Sequence, residues 1–241
     1  MTQAPDIHLN GTYKIADKVL FNLMDFTVPA GQWSCLLGRS GVGKSTVLRL
    51  IADLDCAGRF DGQITSSDRR DMSRHVSFMA QSDLLLPWLT ALENTVIGAR
   101  VRGEHPDMKQ AQILLRRVGL GDHMHHKPSA LSGGMRQRVA LARTLLEDRA
   151  IALLDEPFSA LDASTRAEMQ ELAAECLAGK TVVLVTHDPA EAVRLGHQIA
   201  VLTRDGMRSW PVPTSHPVRD QYAKDTIQCQ MELLAHLRAC T

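Results

Sequence analysis

Apolar and polar positions change their spacing several times along the chain. Short alternating runs open it: Ile7 and Leu9, then Val19, Leu20 and Phe21, then Phe26 and Val28. Asn10-Gly11 and Pro29-Ala30-Gly31 punctuate them, so residues 1–37 predict a small antiparallel β region. Tyr13 falls within it, on an expected loop, where a half-buried aromatic at a strand end is the plain reading. Trp33, Cys35, Leu36 and Leu37 then form the apolar run of a buried strand, and Val47, Leu48, Leu50, Ile51 and Leu54 follow at helical spacing. Ile64 and residues 76–79 predict two more strands, with a polar, basic stretch at 68–74 between them.

The pattern turns helical at Leu92, Val96 and Ile97, and again at Ala111, Ile113, Leu114, Leu115 and Val118. Residues 82–130 therefore read as a mostly helical insertion. It is entered through an apolar loop, Leu84-Leu85-Leu86-Pro87-Trp88, because Pro87 blocks a helix there. Ser132 caps an amphipathic helix that carries Val139, Ala142, Leu145 and Leu146 on one side. Two buried strands follow, 151–154 and 181–186, then a helix and a strand ending at Thr203. Pro211, Pro213 and Pro217 mark a stiff linker. Residues 218–238 read as a helix with Tyr222, Ile227, Met231, Leu234 and Leu237 on one side, expected to pack on the domain itself.

Composition narrows the classes. The chain has 241 residues, with 27 Lys+Arg against 27 Asp+Glu and a formal net charge of zero. That gives no bulk charge for holding nucleic acid. Five scattered cysteines without C-x-x-C spacing read as a reducing compartment with no disulfide frame and no zinc site. No apolar run approaches the ~18 residues of a membrane span, and the N-terminus lacks a signal pattern. Work at a membrane is therefore expected from the cytoplasmic side, through a partner. His123, His125 and His126 lie in a loop without an acidic or cysteine partner at ligand spacing and read as solvated.

The chemistry begins at Gly38-Arg39-Ser40-Gly41-Val42-Gly43-Lys44-Ser45-Thr46, which fits G-x-x-x-x-G-K-[ST] between a strand and a helix. Glycines let successive N–H groups turn inward to an anion, and the helix start adds its positive dipole end. Lys44 can reach β- and γ-phosphates, and the Ser45 hydroxyl can ligate Mg²⁺. Ser132-Gly133-Gly134 forms a second capped, glycine-rich helix start. The strand 151–154 ends in Asp155 and Glu156, the first placed for a metal ion and the second for a water; a helix N-cap with acidic residues is the plainer alternative. The strand 181–186 ends in His187.

Taken together, these pieces resemble the nucleotide-binding subunit of an ATP-binding cassette (ABC) transporter over about residues 7–208. Residues 38–46 match its Walker A loop, Gln81 its Q-loop and 131–137, through Gln137, its L-S-G-G-x-x-Q signature. Residues 151–157 match Walker B with its catalytic Glu156, 159–162 the D-loop, and His187 the switch histidine. Tyr13 falls where the family has an adenine-stacking aromatic, and Asp53 stands where relatives often carry glycine.

The resemblance implies a P-loop NTPase (RecA-like) α/β fold with a parallel-sheet core, an N-terminal antiparallel β region and a helical subdomain at about 82–140. The ATPase domain would span 1–210, with the linker and C-terminal helix at 211–241. ATP would bind at residues 38–46 with Tyr13, and at the partner's Ser132, Gly133, Gly134 and Gln137 in a head-to-tail dimer. Ser45, Gln81 and Asp155 would hold Mg²⁺, while Glu156, His187 and Gln81 would act in hydrolysis. The Leu-Leu-Pro-Trp loop is similar to that of importers for nitrate, sulfonates, taurine and thiamine precursors. It implies a membrane permease docked near residues 84–88, fed by a periplasmic or lipid-anchored solute-binding protein, with this chain peripheral on the inner face of the membrane. An exporter, a lipoprotein-release ATPase or a soluble cassette protein are the competing readings.

Overall fold

The computed structural model describes residues 4–239 apart from 17, 69–71, 73–74 and 204–205, so most of the basic stretch at 68–74 lies outside the described residues. Two sheets organise the chain. β1 (Ile7–Ile15), β2 (Lys18–Val28) and β4 (Arg59–Ser66) form an antiparallel sheet in the order β2-β1-β4. β5 (Val76–Met79), β6 (Ile151–Asp155), β7 (Thr181–Val185), β3 (Trp33–Gly38), β8 (Gln198–Thr203) and β9 (Gly206–Trp210) form the central sheet in that order. It is parallel except for β9.

Strand alternation divides the interior in two. Cys35 and Leu37, Ala152 and Leu154, Val182 and Leu184 point into one core. Leu36, Ile151 and Leu153, Val183 and Val185 point into the other. The first core takes in the helical arm through Leu92 of α2 (Ala91–Thr95), Leu114 and Leu115 of α4 (Met108–Arg117) and Val139 of α5 (Gly133–Leu146), while the short α3 (Ile97–Val101) buries none of its residues. The second lies under the antiparallel sheet and α1 (Lys44–Ile51). Because both faces of β3, β6 and β7 are covered, these strands read as continuous apolar runs.

The helix α2 starts on a capping box between Thr90 and Glu93. α1 ends in a Schellman motif, with Leu54 N–H donating to Arg49 O at 2.9 Å and Asp53 N–H to Leu50 O at 3.1 Å. Asp53 sits in the left-handed region, φ 53°, which accounts for glycine at this place in the resembled family.

Four features depart from the sequence expectations. A helix, α6 (Ala163–Cys176), and the strand β9 were not foreseen. Tyr13 lies within β1 rather than on a loop. After α7 (Pro189–Leu195), the last helix, α8 (Lys224–Ala239), packs on the domain through Leu233 and Thr226, with Cys229 and Leu237 beside them. Of the foreseen apolar side only Leu237 packs inward; Tyr222, Ile227, Met231 and Leu234 are exposed. The linker before α8 is fastened by Arg219, which is buried and donates to Val193 O and Gly196 O at 2.7 Å each and to Pro213 O at 3.1 Å. Those first two carbonyls lie at the C-terminal end of α7, where a cation is favoured.

Candidate active site

Five strand ends meet at one edge of the central sheet, where a parallel sheet places its ligands. β3 runs into the loop 38–43 and α1. Gly41 and Gly43 adopt φ 78° and 108°, which only glycine takes without strain. At Gly38 a Cβ would stand 2.5 Å from the carbonyl oxygen of Leu202. Lys44 is buried, and its Nζ donates to Gly38 O at 2.8 Å and Arg39 O at 3.0 Å, folding across the loop. Burial lowers its pKa, with the Glu156 and Asp155 charges opposing. Arg39, Ser40 and Gly41 are exposed, Val42 anchors the loop in the second core, and Ser45 and Thr46 are half-buried. A cavity of about 520 Å³ lies between this loop, the end of β8, Arg208 and Leu237.

Asp155 ends β6 and is only 4% exposed. Burial raises its carboxyl pKa, opposed by a hydrogen bond from Ser45 and then by the Lys44 charge. Hard oxygen donors of this kind suit Mg²⁺. Glu156 follows in the left-handed region, φ 50°, with its N–H on Val185 O at 2.9 Å. For a non-glycine residue this conformation is strained, and such strain clusters at functional sites. The turn aims the Glu156 carboxylate back across the strand ends. Its Oε2 accepts from Gln81 Nε2 at 3.3 Å and lies 3.2 Å from His187 Nδ1. Gln81 follows β5 and His187 follows β7, so three residues far apart in sequence converge on one oxygen.

The signature helix start stands elsewhere. Ser132 caps α5, its Oγ accepting from Met135 N–H at 3.2 Å, and both Ser132 and Gly133 are exposed. A Cβ on Gly134 would approach Ala160 O at 3.0 Å. Within one chain, the nearest neighbours of Gly133 and Gly134 are thus Arg136, Ala160 and Leu161, none of them in the phosphate loop.

Two expected nucleotide contacts need correction. Tyr13 is 1% exposed, stacked on Phe21 with ring centroids 5.6 Å apart, and cannot lie against a base. Its position in phase with Ile7 and Leu9 turns it into the second core. Gln137 is buried, and its amide is spent inside its own chain. Nε2 donates to Glu156 O at 2.9 Å and Ser159 Oγ at 3.3 Å, and Oε1 accepts from Ala160 N–H at 2.8 Å. It is a strut that ties α5 to the segment after Glu156.

The loop after Gln81 is held from beneath. Arg136 Nε donates to Asp83 Oδ2 at 2.9 Å, while Arg143 donates to Asp83 O at 2.7 Å and Leu84 O at 3.1 Å. Asn94 accepts from Leu86 N–H at 2.7 Å and donates back to Leu86 O at 3.1 Å. Leu85 turns inward, and Leu84 and Trp88 stand 62% and 65% exposed. Sequence reasoning missed these arginines and also Arg166, Gln170 and Glu191 behind His187; the charged positions on the inner sides of α5, α6 and α7 were the available signal.

Residues 21–159, more than half of the chain, match the ABC transporter family. The chain belongs to that family. It is an ATPase of the ABC type, and the P-loop NTPase fold expected from the motifs is the one observed. An uncharacterized ABC transporter ATP-binding protein of Haemophilus influenzae is 39% identical over 227 residues, 91% of this chain and 93% of its own. The aliphatic sulfonates import ATP-binding protein SsuB 2 of Agrobacterium fabrum is 48% identical over 181 residues, 74% of this chain and 68% of its own. A solved ATP-binding cassette, dimeric in a post-hydrolysis state with ADP and Pi, superposes with a TM-score of 0.73 at 31% identity, covering 89% of this chain and 99% of its own. Among the described residues no helix of the ABC subunit is long and apolar enough to cross a membrane.

Proposed function

We propose that this ABC ATPase works as one half of a head-to-tail dimer and powers import of a small organic anion of the sulfonate class through a separate membrane subunit. The observation that carries the reading is the braced loop: Leu84 and Trp88 stand exposed a few residues beyond Gln81, whose amide touches Glu156. A permease docked there is in mechanical contact with the hydrolytic carboxylate. The sulfonate class rests on the named relatives.

In this reading the loop amides of residues 38–46 and the Lys44 ammonium hold the β- and γ-phosphates. Ser45, Asp155 and Gln81 would hold Mg²⁺, which when bound neutralises phosphate charge. Glu156 orients the attacking water and takes its proton, with His187 and Gln81 fixing the carboxylate. Ser132, Gly133 and Gly134, exposed and away from their own phosphate loop, complete the partner's site. The subunit sits on the inner face of the membrane, and a solute-binding protein delivers the anion on the other side.

The test is uptake into vesicles that hold the full chain and its membrane subunit, with a solute-binding protein outside and ATP inside. ATP-dependent uptake of an alkanesulfonate is expected. Turnover of Mg-ATP without uptake of any sulfonate overturns the solute class, and absence of turnover overturns the whole reading.

A further inference from the structure

Behind His187 lies a carboxylate that the hydrolytic reading leaves unused. Glu191, on the first turns of α7, is 5% exposed. It shares with Glu156, His187 and Arg166 the wall of a cavity of about 40 Å³, room for one water. Its Oε1 accepts from Gln170 Nε2 at 3.1 Å, and Gln170 is itself oriented by Arg194, whose Nη1 donates to Gln170 Oε1 at 2.7 Å. The Thr186 hydroxyl lines the same cavity and faces Glu191, which it helps to hold ionised. Thr186 Oγ1 accepts from Asp188 N–H at 3.0 Å, which leaves its one proton available to Glu191. Thr186 and Asp188 flank His187, whose Nδ1 is 3.2 Å from Glu156 Oε2.

We propose that Glu191 is a positioning residue for hydrolysis: it fixes the Thr186 hydroxyl, the hydroxyl fixes the turn 186–188, and the turn keeps His187 on Glu156. The inference rests on the ATPase reading of Glu156 and His187.

The bland role, filling space between α6 and α7, is poorly served by a carboxylate. Desolvation of an acid is unfavourable, and an apolar side chain fills such a space at lower cost. Burial pushes the Glu191 carboxyl up to about 7. The groups facing it are Arg166 and Gln170 of α6, Thr186 and Asp188 at the start of α7, and the buried thiol of Cys35 on β3. Asp188 adds to the upward shift and Arg166 opposes it. Above about pH 7 the ionised acid supplies what an amide does not, two acceptor oxygens for two donors. Because Arg194 fixes which end of Gln170 faces the site, an amide replacing the carboxyl must give its one oxygen to Gln170. Its NH₂ then meets Thr186, and the Thr186 hydrogen bond is reversed.

The experiment compares the full chain with Glu191→Gln, Thr186→Val, the double variant and Thr186→Ser. Mg-ATP Kd, kcat, thermal midpoint and the His187 ring NMR signals are read for each. At pH 8, Glu191→Gln and Thr186→Val should each lower kcat about tenfold, with Kd within about twofold and no large fall in the thermal midpoint. The double variant should be no worse than either single one, and Thr186→Ser should turn over near the parent rate. The His187 signals should move in both single variants. Parent-like kcat with unmoved His187 signals in folded variants overturns the inference while leaving the ATPase reading in place. If Glu191→Gln does not fold, Thr186→Val decides by the same readouts. A parent chain without turnover overturns the ATPase reading, and the inference that rests on it falls with it.

Discussion

His187 Nδ1 and Gln81 Nε2 approach the same oxygen, Oε2 of Glu156, at 3.2 and 3.3 Å. Gln81 donates to that oxygen and His187 stands beside it, which leaves Oε1 for a water. Glu156→Gln keeps the shape and removes the base, so kcat should fall by roughly 10²-fold or more. Mg-ATP affinity should stay within a few-fold, because Lys44 and the loop amides are untouched. Single-turnover hydrolysis and equilibrium nucleotide binding measure the two. A variant that turns over normally removes Glu156 from the chemistry.

Ser132 is exposed at the start of α5. Ser132→Arg should leave monomer ATP affinity nearly intact while abolishing turnover, at a cap loss of about 1 kcal/mol in stability. Mixed with Lys44→Ala, it forms a heterodimer with one site carrying both lesions and one carrying neither. Part of the ATPase activity should return on mixing. Loss of ATP binding by the Ser132→Arg monomer would place Ser132 in its own chain's site.

Trp88 and Leu85 share a loop but face opposite ways. Trp88→Ala should leave the thermal midpoint nearly unchanged and weaken capture of the membrane subunit by ~2 kcal/mol or more, as truncation of an interface Trp does. Leu85→Ala should instead cost about 2–4 kcal/mol of stability. Parent-like capture by Trp88→Ala, measured by pull-down from solubilised membranes, would move the docking site away from this loop.

Asp53 occupies the left-handed position of a Schellman motif. Asp53→Gly should raise stability by roughly 0.5–1 kcal/mol, since glycine takes this conformation without a Cβ penalty. Urea unfolding of both chains is the measurement. An unchanged or lower midpoint shows that the aspartate is compensated.

The carboxyl of Glu191 is raised by burial to about 7 in the folded chain, from an ordinary value of 4.5. Between those values the folded state holds the extra proton, so stability falls as pH rises across that window. The effect is at most about 3.5 kcal/mol. Glu191→Gln should show less of this decline when unfolding free energies are compared at pH 5 and 8. An identical decline in the variant would assign it to other groups.

Legibility followed the strength of the local pattern. The runs 33–37, 151–154 and 181–186 are apolar throughout because both faces are buried, and the motif glycines announce the loop. Gln81, Glu156 and His187 meet only because β5, β6 and β7 are neighbours, which no local spacing states. Family resemblance supplied that adjacency. Helix α6 escaped because it buries only Met169, Gln170, Leu172 and Ala173, too few apolar positions to set a period. For α8 the chain is apolar on two sides, and most of the side chosen by spacing is exposed. Tyr13 was in principle readable: counting by twos from Ile7 puts it inside.

Each buried apolar residue of β3, β6 and β7 belongs to one of two separate interiors, and neighbours alternate between them. The consequence concerns descent. One interior contains the helical arm that backs the exposed loop, and the other contains α1 and the antiparallel sheet. Substitutions that reshape the arm for a new membrane partner fall on one parity of β3, β6 and β7. The opposite parity, which seats the phosphate loop, can be inherited unchanged. Such a chain can diversify its partners while its engine stays the same.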